Sequence, residues 1–423
     1  MRTTHSLALL ASFFCTTSGL LAQNSSTAAS DYEKPPVLKA SEILQPVYLS
    51  SPYHRVREDV IPDQGSNHFV IDSDFGVFIA RSNQMLHDRV KEIAALARLR
   101  EMSNTKEYAE GVKQAAMAPL EAADSLINDP AETLNSTVQG VGKFLGRVGR
   151  GAKQVATGEK KANGQESMLK TAAGVSSTKR QLCAELGVSP YSTNELLQEE
   201  LDRVAWVMFA GRMTVKAATM PIGGGAGAAL SALNTVDTTT GMVYDQSPSD
   251  LQAMNLSRLR DMGISEDTAK AFLATKALSP WYQTQIVGSL EKMSGVKGRE
   301  VLLRDATSMC DTEADAVFYQ QTALLIAHAH IHGIMVDRIA LVNGLPVCIG
   351  ADGGLIVALH WDYAMWSPRS KRFADAVQAM KVDGTKPSSL IVVLTGVMSP
   401  RLRQELEARG FRVQDKLLKG PLN

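Results

Sequence analysis

The sequence predicts an α+β protein. The expected order is an N-terminal β-hairpin and helix, a central helical region, and a C-terminal α/β unit with an antiparallel meander and a βαβ-like end. Three observations carry this reading. Residues 67–81 alternate in strand fashion around a turn. From about 192 to 332 the apolar residues recur at helical spacing. After 333, short Val/Ile/Leu runs are separated by Asn-Gly and Asp-Gly-Gly turns.

The chain opens with Arg2, an apolar run over Leu7–Leu10, Phe13, Phe14, Leu20 and Leu21, and then Ala22. A positive start, a short apolar stretch and a small residue at its end are the layout of a secretory signal peptide, so residues 1–22 are expected to be removed. Residues 23–40, rich in Ser, Thr and Ala and ending near Pro35-Pro36, read as a disordered leader.

The module expected over 41–135 begins with the hairpin, turned by Asp72 to Gly76. Ser82 then caps a helix that carries Leu86, Val90, Ile93, Leu96 and Leu99 on one side. Residues 136–180 read as a basic, Gly-rich linker, with nine Lys/Arg, among them Lys143, Arg147, Arg150 and Lys153, against only Glu159 and Glu166. In the helical region 181–332, starts are expected at Ser192-Thr193-Asn194-Glu195, Ser265, Ser279-Pro280 and Thr312, since short oxygen-bearing side chains satisfy the first free N–H groups and proline lacks one to satisfy.

In the C-terminal unit, 333–423, strands are expected over 334–342, 345–349 and 355–361, followed by a helix from Ser367-Pro368. Leu390–Leu394 is uninterruptedly apolar, as a strand buried on both faces must be. A helix from Ser399-Pro400 and a strand at 411–413 complete the unit. A helix-length connection implies that these last two strands run parallel.

Composition narrows the function classes. Forty-four Lys/Arg balance 44 Asp/Glu, so no net field recruits nucleic acid. Beyond Cys15 the chain holds Cys183, Cys310 and Cys348, an odd number that excludes a cysteine-stapled scaffold. An exported chain of this size with so few cysteines suits a bacterial periplasm or cell envelope.

The candidate metal ligands are His328, His330 and His332. On a strand all three imidazoles would share a face. On a helix His328 and His332 share one and His330 points away. Glu313, Phe318, Gln321, Leu325 and Ile326 continue a helical pattern into the cluster, which favours the second geometry. Asp337, Asp352, His360 and Asp362 are residues of the right type for more distant ligands. The junction Thr395–Pro400, with Arg401 and Arg403 nearby, is a helix start of the kind that holds anions. The Gly-rich stretch 221–230 lacks a P-loop's Gly-Lys-Ser/Thr ending.

These features support an exported, non-enzymatic binding or interaction module whose partner is an envelope protein or a membrane surface. One alternative is a metal-assisted hydrolase centred on the three histidines. Another is a peripheral membrane protein using 138–156, a basic helix with a narrow apolar seam, and the uncharged stretch 217–236.

Overall fold

A computed structural model describes residues 31–117, 163–211, 238–343, 345–418 and 420–421. The stretch expected to be a signal peptide, the basic seam at 138–156 and the uncharged stretch 217–236 lie outside the described residues. The fold is α+β, as the sequence predicts.

The first sheet is antiparallel. Its strands are β1 (Leu38–Lys39), β2 (Ser50–Ser51), β3 (His54–Val56), β4 (Asp59–Asp63), β5 (Ser66–Ser73) and β6 (Gly76–Ala80), with short helices α1 (Ala40–Ile43) and α2 (Pro46–Leu49) between β1 and β2. The order is β1-β4-β5-β3-β2, and β6 pairs with the other side of β5. Along β5, Asn67, Phe69 and Ile71 point inward, where Phe69 and Ile71 are fully buried against α3 (Asn83–Ser103). The Ser82 hydroxyl accepts from the Met85 N–H (3.1 Å) and starts α3, as expected.

Helix α4 (Lys106–Met117) follows, then α5 (Asn163–Leu186) and α6 (Glu195–Ala210), the last capped by Asn194. The sequence divides this region differently. Helix α5 begins inside the expected linker. Leu182, Leu186, Leu197, Leu201 and Val204 of α5 and α6 join Leu86, Val90, Ile93 and Phe69 in one core. Helical periodicity shows that a face is buried but not what it is buried against, so these helices could not be assigned to the N-terminal unit from spacing. Residues 31–40 also depart from the expected leader. Leu38 and Lys39 pair with Val60 and Asp59, and Ala40 is fully buried.

Helices α7 (Thr238–Asp245), α8 (Pro248–Asp261), α9 (Glu266–Leu273), α10 (Pro280–Glu291), α11 (Glu300–Met309) and α12 (Glu313–Ile331) lead to the second sheet. Thr312 and Asp315 close a reciprocal cap at the start of α12. The sheet holds β7 (Val336–Val342), β8 (Leu345–Gly350) and β9 (Leu355–Leu359), an antiparallel meander. After a short strand β10 (Tyr363–Ala364) and α13 (Pro368–Gln378) comes β11 (Leu390–Leu394), parallel to β9. Strand β12 (Val397–Met398) pairs with β10. Helix α14 (Pro400–Ala408) then returns the chain to β13 (Phe411–Gln414), parallel to β11.

The order β13-β11-β9-β8-β7 leaves β11 flanked on both sides. Val392 and Leu394 pack with Ala374, Val377, Leu402 and Leu406 of α13 and α14, while Val393 packs with residues of α9–α12. The second sheet is therefore the middle layer between two sets of helices.

Candidate functional site

The outer face of the N-terminal sheet is built by register. Strand alternation that buries Phe69 and Ile71 turns Val70 outward, and the pairs Ile61↔His68, Val70↔Ile79 and Asp72↔Val77 place their side chains on that same face. Val37 precedes Leu38, the partner of Val60, and so comes alongside Ile61. Val37, Ile61, Val77 and Ile79 are 55%, 56%, 60% and 58% exposed. With half-buried Val70 they form an apolar stripe over β4, β5, β6 and the residue before β1, with half-buried His68 beside Ile61. The stripe is bordered by Arg57, whose guanidinium grips both carboxylate oxygens of Asp72 (2.9 and 2.8 Å).

The free edge lies beside this stripe. Among the described residues β6 pairs only with β5. The Val70 carbonyl accepts from the Arg57 N–H (2.8 Å), on the side of β5 away from β6. Val70↔Ile79 is therefore a non-hydrogen-bonded pair, and the N–H and C=O of Ile79 point away from β5. Period two gives Val77 the same orientation. Two residues with apolar side chains on the outer face thus present free backbone donors and acceptors along one edge. The sequence located this hairpin, but exposure of its outer residues was not legible, because an all-apolar strand reads equally well as one buried on both faces.

The histidine cluster sits at the end of α12, in the helical geometry. His328 and His332 share a face with ring centroids 4.2 Å apart. His330 turns elsewhere, and its Nδ1 accepts from the Val336 N–H (3.1 Å). Burial and neighbouring His332 hold His328 below the ordinary histidine pKa. Among the described residues no group of three or more His, Cys, Asp or Glu side chains is placed to hold a metal ion. Asp352 is occupied in its turn, accepting from the Gly354 N–H (3.0 Å), and Asp337 lies 3.9 Å from Lys297 Nζ.

His360 and Asp362 instead lie where the two sheets meet. One oxygen of Asp362 accepts from the backbone N–H groups of Asn67 (2.9 Å) and Asn83 (3.0 Å), and the Asn67 amide donates to Asn83 Oδ1 (3.0 Å). The Gly65 carbonyl accepts from the Asp362 and Tyr363 N–H groups. Gly65 has φ +88°, and a Cβ there would overlap the Trp361 ring. A carboxylate thus fastens the start of α3 and strand β5 to the C-terminal unit. Desolvation pushes its pKa up to about 7 despite the two hydrogen bonds.

His360 Nδ1 lies 3.2 Å from Thr395 Oγ1, whose own hydrogen goes to the Trp361 carbonyl (3.0 Å). This bonding assigns the proton to Nδ1 and leaves Nε2 as the lone-pair nitrogen, buried and without a partner among the described residues. Burial drives the His360 pKa down to about 4.

The expected anion position at the start of α14 is taken by the chain itself. Glu33 accepts from the Ser399 hydroxyl (2.6 Å), while Ser399 Oγ caps the Leu402 N–H (3.1 Å). Arg401 donates to the Asp31 carbonyl (2.9 Å) and Arg403 to Asp415 (2.8 Å). A second polar centre, absent from the sequence reading, joins three helices. Arg89 bridges Glu92 (2.7 Å) and Glu313 (2.6 Å), while Ser192 and Asn194 donate to Glu92. Its members lie far apart in the chain, so no local pattern announces it.

Cys183, Cys310 and Cys348 are free and buried, and desolvation pushes each thiol up to about 12, which suppresses the nucleophilic thiolate. No described helix is long and apolar enough to cross a membrane. Compared with known protein families, curated proteins and solved structures, the chain matches none.

Proposed function

We propose that the protein is an exported envelope protein acting as a non-enzymatic interaction module, and that β6 receives an extended apolar segment of a partner polypeptide by strand addition. The supporting observation is the coincidence on β6 of outward backbone groups at Val77 and Ile79 with exposed apolar side chains at the same residues. Strand addition uses both, with main-chain hydrogen bonds supplying affinity and alternate side chains supplying specificity. Of the charges bordering the stripe, Arg57 and Asp72 satisfy each other, while exposed Arg55 lies opposite Asp72 on β3.

Two experiments test the reading. N-terminal sequencing from the envelope fraction is expected to begin near Gln23; an intact Met1 would remove export from the proposal. Ile79→Pro addresses the edge. Its N–H makes no bond to β5, so the ring is tolerated as on other edge strands, yet it blocks an added strand. Amide exchange at Val77 and Ile79 is expected to slow when the purified protein meets a solubilised envelope fraction. A photoreactive side chain at Val77 should crosslink to a polypeptide, and the crosslink should disappear in Ile79→Pro at unchanged circular dichroism. Unaltered exchange, or a crosslink that survives the proline, would overturn the proposal. Protection by lipid vesicles alone would assign the face to membrane instead.

A further inference from the structure

We propose that His328 and His332 form a two-imidazole surface site for a divalent first-row transition ion of the Cu(II) or Zn(II) type. The proposal is independent of the strand-addition reading. Residues four apart on a helix project over one another, and here the hydrogen bond from the His332 N–H to the His328 carbonyl (3.0 Å) keeps that last turn closed. The two rings lie 4.2 Å apart by centroid at an interplanar angle of 41°, so rotation about the side-chain bonds brings one nitrogen of each to a common ion. Neither ring has a hydrogen-bond partner among the described residues.

The surroundings suit a cation. His332 is exposed and His328 half-buried, which leaves coordination positions open to water. The site lies at the C-terminal end of a 19-residue helix, where unsatisfied carbonyls concentrate partial negative charge. Imidazole is a ligand of borderline softness that favours copper and zinc over calcium or magnesium, and copper(II) heads the divalent affinity order. Coordination requires the neutral ring.

His330 supplies an internal control. Its Nδ1 is engaged by the Val336 N–H, on a different side of the helix. The site is therefore a pair within the three-histidine cluster, not the triad that strand geometry would have made.

The test uses the full-length, tag-free chain, stripped with EDTA and titrated with Cu(II). Calorimetry and electron paramagnetic resonance are expected to show a saturable ion with nitrogen coupling from two imidazoles. His328→Gln and His332→Gln should each weaken this binding at least about tenfold, and His330→Gln should leave it unchanged. Cu(II) also binds free amino termini, but that contribution is common to all variants and cancels in the comparison. A rise in Tm with Cu(II), present in wild type and in His330→Gln but absent in His328→Gln, should accompany the affinity change. Binding unaltered in the His328→Gln/His332→Gln double variant would overturn the proposal, as would equal loss in His330→Gln. Circular dichroism of each metal-free variant separates lost ligands from lost fold.

Discussion

Val392→Asp is expected to prevent stable folding. Val392 is 1% exposed, sits on β11 between Val357 of β9 and Val413 of β13, and packs against α13 and α14. The core around it is built of apolar side chains such as Leu359, Val377 and Leu406. A carboxylate there must either remain charged without a partner or take up a proton, at a cost of several kcal/mol, comparable to the whole stability of many domains. Urea denaturation is expected to give no native baseline, or a midpoint far below wild type. Arg403→Ala is the contrasting substitution. Its ion pair with Asp415 is partly solvent-exposed, and its loss should cost no more than about 1 kcal/mol. Equal midpoints for Val392→Asp and wild type would show that β11 is not a central strand.

The second large effect concerns the pair at the sheet junction, where two buried groups have pKa shifts that act in opposite directions on stability. Asp362 has its folded pKa raised from 3.8 to about 7. Its contribution is full below about pH 3.8 and is lost as pH rises to about 7. His360 has its folded pKa lowered from 6.5 to about 4. Its contribution is full above about pH 6.5 and is lost as pH falls to about 4. Between roughly pH 4.5 and 6 the folded state holds one extra proton on Asp362 and the unfolded state one extra on His360, so the two contributions cancel.

Removing either group should expose the other. With Asp362→Asn, unfolding stability should fall by about 1.4 kcal/mol for each unit of acidification over this window, relative to wild type. With His360→Gln it should rise by a similar amount. Urea titrations at pH 4.5, 5.5, 6.5 and 7.5 read both slopes, and parallel profiles for the three proteins would contradict the account. Asp362→Ala should be the more damaging replacement at any pH. It strands the buried N–H groups of Asn67 and Asn83, at about 1–3 kcal/mol each.

What was legible in the sequence follows from how local each signal is. The caps at Ser82, Ser265, Thr312, Ser367 and Ser399 hold in the structure because one side chain and the next few N–H groups decide them, whereas Ser279 precedes Pro280 at the start of its helix but its hydroxyl makes no cap bond. The hairpin at β5–β6, the strand β11 and its parallel partner β13 were readable from five- to eight-residue patterns and connection length. Strands β1 to β4 were not. β1, β2 and β3 have only two or three residues, and five-residue β4 contains Pro62, so no clear period shows; β3 and β4 become a sheet by pairing with β5, and β2 and β1 by pairing with them.

The same distinction applies to the sites. The geometry of His328 and His332 followed from a helical run inside the sequence itself. Asp362 was legible only as a residue of ligating type. Its role depends on backbone groups nearly 300 positions earlier in the chain, and Glu92, Arg89 and Glu313 likewise meet only through folding.

The N-terminal core has one more consequence, for a chain that has been cut. Its strands and α3 come from before residue 118, and Leu182, Leu186, Leu197 and Leu201 from beyond residue 162, yet these are a single hydrophobic cluster. A protease that severs the intervening basic segment therefore breaks a covalent path without dividing the body it connects. The nicked protein should sediment as one particle under native conditions and come apart only in denaturant. If the fragments are separated and then mixed, they should recombine, because each carries the surface the other was folded to cover.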